Sequence, residues 1–564
     1  MTTALLLLTS VLASSPAETA AHVDRAFPRV AVCADEDFLR RVSLDLIGRP
    51  PTLQELTLFV LDPTANKRDA VIDRLVASDE AAARWARYWT EVVYSRATDE
   101  RAVRMRGSLE GWLSEQFAAG TAWDDVVSDL LTATGDAREN GATGLLVAHA
   151  GEATEVASEA SRIFNGLQIS CANCHDHPSD PWTREQFHQV AAFFPRVNVT
   201  RRIGEGPPTL IVSSVAGTTR RPDAAQIMRL ADRDRDGRVT SAEAARIPRL
   251  KDQFATRLML ADEDGDGALS RSEFETLLAR VPANNVGRGS AEHRMPNLED
   301  PNRPGRVMQP VSFVTGDALP SSAGDLERRL TAAAWITSPK NPWFARAVVN
   351  RYWAELIGEG FVTPVDDLGP TRSVQHEAVL DLLCEGFVRS EYDLHWLLAA
   401  ITRTTAYQRA DGSESDLLPV VATRRLDADQ MYGSLRVALS GRADQSAAGA
   451  TAYQRDPRAG SRAVFGEDPS TPQADRIGTL PQALLLMNSA VLEFALSQRA
   501  RQLSSRDSGE GLIRECFLSV LCREPLAEEI RVAADAMNES DDPAAGCGDL
   551  LWALTNTAEF LHQR

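Results

Sequence analysis

Phe38-Leu-Arg-Arg-Val-Ser-Leu-Asp-Leu-Ile-Gly-Arg-Pro-Pro-Thr-Leu-Gln-Glu55 decides the fold class. Its apolar residues fall on one face of a helix, and Gly48-Arg-Pro50-Pro51 stops that helix. Thr52-Leu-Gln-Glu55 starts the next one with a capping box, in which hydroxyl and carboxylate each accept a backbone N–H at the helix start. Asp73-Arg-Leu-Val-Ala, Arg84-Trp-Ala-Arg-Tyr-Trp89 and Leu109–Phe117 continue the style, so the chain from Asp35 to about Val197 is predicted to be helical. The aromatic face of the Arg84–Trp89 segment reads as core rather than as a ligand surface.

Beyond Val197 the run Thr209-Leu-Ile-Val-Ser-Ser-Val215 is β-prone and predicts one short strand. Gly, Pro and Asn crowd residues 284–322, which marks a linker. A second helical region follows. Asn341-Pro342 gives it an N-cap with proline at the first helical position, Phe344, Val348, Tyr352 and Leu356 recur at i+4, and Gly358 or Gly360 ends the helix. Residues 441–478 read as a long loop, and Leu550-Leu-Trp552-Ala-Leu554 with Phe560 as a docking face near the C-terminus. The fold class expected is mainly α: a multi-domain helical protein with little β. Its divisions are a signal peptide at 1–20, a helical domain at 22–200, a calcium module at 222–282, the linker at 284–322 and a helical domain at 323–564.

The chain has 564 residues and a formal net charge of −19, which excludes a cationic nucleic-acid surface. Its first residues, Met1-Thr-Thr-Ala-Leu-Leu-Leu-Leu-Thr-Ser-Val-Leu-Ala13, form an apolar run followed by small residues, as in a secretory signal peptide. No stretch reaches the ~20 apolar residues of a transmembrane helix. The expected location is secreted or periplasmic. Seven cysteines in so long a chain make no disulfide scaffold, and Cys33, Cys384, Cys516, Cys522 and Cys547 read as gap fillers.

Two twelve-residue loops carry the clearest chemistry. The first, an EF-hand loop, is Asp232-Arg-Asp234-Arg-Asp236-Gly237-Arg238-Val239-Thr240-Ser-Ala-Glu243; the second is Asp262-Glu-Asp264-Gly-Asp266-Gly267-Ala268-Leu269-Ser270-Arg-Ser-Glu273. Calcium takes six to eight oxygens, and one tight loop supplies them only if glycine at position 6 permits the turn. Asp232, Asp234 and Asp236 offer carboxylates, Arg238 its backbone carbonyl, Thr240 its position-9 oxygen and Glu243 two oxygens. Asp262, Asp264, Asp266, Ala268, Ser270 and Glu273 repeat the set. Pro248 keeps the helix leaving the first loop short, which fits a permanently filled, rigidifying pair better than a sensor.

Cys171-Ala-Asn-Cys174-His175 matches the c-type haem attachment signature, in which two thiols take the vinyl groups and the histidine ligates iron. Composition alone would produce it in roughly one such chain in a thousand. A disulfide, a zinc ion held with His175 or His177, and buried thiols compete with haem for Cys171 and Cys174. Met228, His188 and His149 are candidates for a second axial ligand, and Asp176 is a candidate to orient an imidazole.

Leu39–Thr52, Arg84–Trp89 and Cys171-Ala-Asn-Cys-His-Asp-His-Pro178 together resemble the planctomycete cytochrome-like domain of the second type. Asn341–Trp353, Val365-Asp-Asp-Leu-Gly369 and Thr479–Ser489 resemble its usual C-terminal partner domain. The resemblance implies an exported bacterial protein of planctomycete type and names no reaction. Asp366-Asp367 with His376 reads as structural capping rather than as a catalytic pair, and no nucleophile elbow, phosphate loop or dinucleotide fingerprint occurs. Two functions stay open: a calcium-bearing redox protein with one c-type haem and a redox partner protein, or a non-redox periplasmic or surface binding protein with zinc or a disulfide at Cys171 and Cys174. A metal-dependent hydrolase using Asp176, His177 and Asp180 is a weaker third.

Overall fold

The computed structural model describes residues 14–27, 31–204, 206–215, 232, 236–240, 243, 262, 264–273, 292–300, 305–410, 424–442, 458–540 and 542–563. The apolar run at 1–13, Met228, Asp234 and Pro248 lie outside them. Within them the chain is mainly α, with only small two- and three-stranded sheets.

Helix Asp35–Ile47 ends at Gly48, whose φ of +72° closes the turn. A side chain there would also collide, since a Cβ would lie 2.5 Å from Asp429 Oδ2. The capping box forms as expected: Glu55 Oε2 accepts the Thr52 amide at 2.7 Å, and Thr52 Oγ1 accepts the Glu55 amide at 3.3 Å. Helix Pro342–Ile357 starts at Asn341, which accepts the Trp343 amide at 3.1 Å, and it ends at Gly358. Asn341 also donates to Asn165 Oδ1 at 2.7 Å, so the cap of this helix is tied to the end of helix Ala153–Asn165.

That tie is one of many. A single hydrophobic core runs from Val23 through Tyr407 and takes side chains from both helical regions. Helix Asp325–Ile336 packs on Trp123–Thr132, and Pro342–Ile357 packs on Ala153–Asn165. Buried arginines reach across the same boundary. Arg329 pairs with Asp325 at 2.7 Å and donates to the carbonyls of Leu131 and Ala133. Arg162 meets Asp366 at 2.8 Å, and Arg84 meets Asp427 at 2.5 Å. A smaller core joins the helices between Ala428 and Leu561. The five scattered cysteines are all buried, and Cys516 Sγ lies 3.6 Å from Cys547 Sγ.

The strand expected at 209–215 exists as β3 (Gly206–Ser214), flanked by β2 (Val197–Gly204) and β1 (Gly135–Asp136) in an antiparallel sheet ordered β1-β3-β2. Only one of these three was legible, because Val197 and Val199 continue the apolar spacing of the helix before them. β4 (Arg238–Thr240) pairs with β5 (Ala268–Ser270). β6 (Arg294–Met295) and β7 (Arg306–Val307) make a two-stranded ribbon inside the linker. The described part of that linker is pinned: Glu292 bridges Arg196 and Arg328 at 2.5 and 2.7 Å. In the expected loop at 441–478 the structure places helix Ala459–Phe465, anchored by buried Phe465, and a short turn at Gln473–Asp475. β8 (Arg424–Arg425) pairs with β9 (His562–Gln563).

Candidate metal centre

The two loops face each other through β4 and β5, with Val239 opposite Leu269 and both side chains fully buried. This is why position 8 is apolar in each loop: the pair welds the two turns into one unit. Gly237 and Gly267 sit at φ +85° and +80°, the left-handed turn that position 6 requires.

In the second loop all six candidate ligands are described. Asp262 accepts the amides of Gly265 at 2.7 Å and Gly267 at 2.9 Å, and Asp266 accepts that of Ala268 at 2.9 Å. Glu273 takes the Ser270 hydroxyl at 2.6 Å and the Asp264 amide at 3.4 Å, so position 12 already folds back over position 3. Oxygens of Asp262, Asp264 and Glu273 lie within 4.8 Å of one another. Among the described residues this is the one group of three or more Asp, Glu, His or Cys side chains close enough to share an ion. Partial desolvation, then the facing charges of Glu273 and Asp262, raise the Asp264 carboxyl above its ordinary value, as expected where carboxylates converge. The donor set therefore fits calcium, a hard ion that takes oxygen ligands only.

The first loop repeats the pattern where it is described. Asp232 accepts the amides of Asp236 and Gly237 at 3.1 and 2.9 Å, and Glu243 accepts the Thr240 hydroxyl at 2.8 Å. The Arg238 side chain, whose backbone carbonyl is the candidate ligand, forms an ion pair with Asp266 of the second loop. Sequence spacing gave no hint of this cross-loop contact.

Both ends of the inserted segment reach one residue. The Val215 amide donates to the Arg196 carbonyl at 2.8 Å, and Glu292 accepts from the Arg196 guanidinium.

Cys171 and Cys174 are free and exposed, on a 3-10 turn at Ile169–Asn173 and just after it. His175 is exposed too, with Nδ1 2.7 Å from the Asp176 carbonyl. The Asp176 carboxylate does not orient that imidazole; it accepts the Arg184 amide at 2.8 Å at the start of helix Arg184–Ala191. The Asp180 carboxylate accepts from Thr371 at 2.8 Å and Arg372 at 3.2 Å and lies 3.5 Å from His177 Nδ1, which accepts the Asp180 amide at 3.0 Å. Asp176, His177 and Asp180 are not a group of three that could share an ion. His188 is buried with both ring nitrogens engaged, by His293 at 2.8 Å and by the Asn173 carbonyl at 3.1 Å. His293, inside the linker, carried no spacing signal. His149 is sealed in the main core, and neither ring nitrogen has a hydrogen-bond partner.

Asp366 is an ion-pair hub rather than a cap. Burial pushes its carboxyl up, and Arg351, Arg162 and Arg96 together hold it below the usual range. Asp367 pairs separately with Arg372 at 2.8 Å.

Residues 20–199 match the family model PSCyt2, described as a protein of unknown function (DUF1549), and residues 328–476 match PSD1, described likewise (DUF1553). Residues 255–278, which contain the second loop, match an EF hand and support calcium binding. No curated protein and no solved structure matches the chain.

Proposed function

We propose, from the premise that this chain carries a PSCyt2 domain and a PSD1 domain around an EF-hand segment, that it is an exported protein held in shape by two calcium ions. The observation that carries this reading is the convergence of Asp262, Asp264 and Glu273 in a loop welded to its twin through Val239 and Leu269. Asp262, Asp264, Asp266, the Ala268 carbonyl, Ser270 and Glu273 would hold one ion. Asp232, Asp234, Asp236, the Arg238 carbonyl, Thr240 and Glu243 would hold the other. Bound calcium replaces the repulsion among these carboxylates with attraction, so it stabilises the folded loops outright. The two ends of the segment, fixed at Arg196, pass that stability to the helical core. Calorimetric titration of the full chain with calcium tests the reading. Two equivalents of heat and a chelator-sensitive melting temperature are expected; no heat and an unchanged melt would end it.

A second reading concerns Cys171, Cys174 and His175, and His175 favours it. Ligating imidazoles commonly donate their other ring N–H to a carbonyl, and His175 Nδ1 faces the Asp176 carbonyl, leaving Nε2 for a metal. We propose covalent haem there, giving the protein an electron-transfer role with a redox partner protein. Haem would supply a one-electron centre at the surface. Material exported from a host with haem-maturation machinery should show Soret absorbance that survives acid–acetone extraction. Colourless protein with a disulfide or with zinc would support the non-redox binding protein instead.

A further inference from the structure

A cavity of about 220 Å³ lies between helix Asp79–Tyr94, helix Pro342–Ile357 and the segment at 469–476. Its rim carries the exposed residues Glu359, Thr363 and Ala474, so it opens to solvent. No motif pointed to it, and neither the calcium loops nor the cysteine–histidine turn contributes to its wall.

The arginines of that wall differ from their neighbours. Other buried arginines nearby are closely matched by carboxylates: Arg84 with Asp427 at 2.5 Å, Arg87 with Asp429 at 2.7 Å, Arg162 with Asp366 at 2.8 Å. Arg351 and Arg476 line the cavity without such a match. Arg351 is 2% exposed and reaches Asp366 only at 3.9 Å, a carboxylate that Arg162 already holds. Arg476 donates to the carbonyls of Thr471 and Pro469 at 3.1 Å each, and its carboxylate neighbour Glu467 is 3.8 Å away. The wall's own buried acid, Glu355, is paired with Arg84 at 3.3 Å. Two guanidinium side chains therefore line one space, with their nearest carboxylates 3.9 Å from Arg351 and 3.8 Å from Arg476, and Ser470 Oγ 3.5 Å from Arg351. Buried cations in that condition favour an incoming anion, and guanidinium suits a carboxylate because its N–H groups match the two oxygens.

The rest of the lining says what the anion is attached to. Val365, Pro469 and Pro472 give the cavity an apolar side. Gln473 lines the cavity as well. A cavity of about 150 Å³ accepts benzene, so this one suits a molecule of about nine non-hydrogen atoms. We propose that this cavity binds a small amphipathic carboxylic acid, with its carboxylate between Arg351 and Arg476 and its apolar body against Val365, Pro469 and Pro472. Inorganic anions lack the apolar body and neutral isosteres lack the charge, so both bind more weakly. The site is independent of calcium and of haem.

Benzoate is the probe, with benzamide as its neutral isostere, titrated calorimetrically into the full chain with calcium present and again with chelator. Benzoate is expected to bind at roughly millimolar or tighter, benzamide at least about tenfold more weakly, and chelator to leave the ratio unchanged. Arg476→Gln should cost at least about tenfold in benzoate affinity. Because Arg476 also braces its own loop, Ala474→Trp provides the second variant: it fills the mouth from an exposed position and should abolish binding with no change in melting temperature. Absence of benzoate binding, equal binding of benzamide, or full binding to the Ala474→Trp protein would each overturn the proposal.

Discussion

Trp85 stacks on Tyr352 with ring centroids 4.4 Å apart and planes 9° from parallel, and the Tyr352 hydroxyl accepts the Trp89 indole N–H at 3.1 Å. The first two rings belong to different family domains, PSCyt2 and PSD1, yet they meet in the interior of one core. Aromatic pairs of this geometry add to the area they bury, and a buried indole N–H left without an acceptor is costly.

Tyr352→Phe should therefore lose about 1–3 kcal/mol, the cost of orphaning Trp89 Nε1. Trp85→Ala should lose about 3–5 kcal/mol through the cavity it leaves. Urea melts of each should remain a single transition for the helical core. A fragment of residues 14–215 made alone is expected to lack a cooperative melt; a sharp one would show that its core closes without the second region.

Glu273→Gln removes one of the two oxygens that close the second loop, and should weaken calcium at that site by tenfold or more while leaving the other. Calorimetry would then show one tight equivalent instead of two. At calcium a hundredfold above the dissociation constant, each intact site adds about 2.7 kcal/mol to the folded state. A melting temperature indifferent to chelator would contradict this.

Asp366→Asn tests the ion-pair hub. It strips the charge facing Arg162 and Arg351, and loss of one partner from a buried pair costs about 3–5 kcal/mol. The sign with pH follows from the lowered carboxyl: its stabilisation is full above about pH 3.9 and is lost as pH falls through the still lower value in the folded chain. Guanidinium titrations at pH 7 and pH 3 should show the variant's deficit shrinking in acid.

His149→Leu should behave in the same manner across a higher window. Burial pushes the His149 ring down to about 4, against about 6.5 when unfolded. Between those values the unfolded chain takes up a proton that the folded chain refuses, so stability falls as pH drops, by up to about 3 kcal/mol. Thermal melts from pH 7 to pH 4 should be flatter for the variant than for the parent. His293, lowered by burial and then by His188, titrates in the same range and leaves a residual slope in both.

Much of this architecture was legible because helix signals are local. Gly48, the Thr52–Glu55 box and Asn341-Pro342 each act within four residues, and all three appear where spacing put them. The calcium loops were legible for the same reason, since a twelve-residue turn contains its own ligands. What stayed hidden is long-range. Nothing in the run at 284–322 announces that Glu292 bridges Arg196 and Arg328, or that His293 faces His188. Arg351 and Arg476 look like ordinary surface arginines until the fold seats them on one cavity. The Asp366–Asp367 doublet read as capping, but its meaning is fixed by three arginines, two of which lie more than two hundred residues upstream.

Gln563 donates to Asp45 at 2.8 Å and to the Arg41 carbonyl at 3.2 Å, closing helix Asp35–Ile47 from the far end of the chain. These bonds close loops of 518 and 522 residues, so they form only once the whole of the intervening chain is in place.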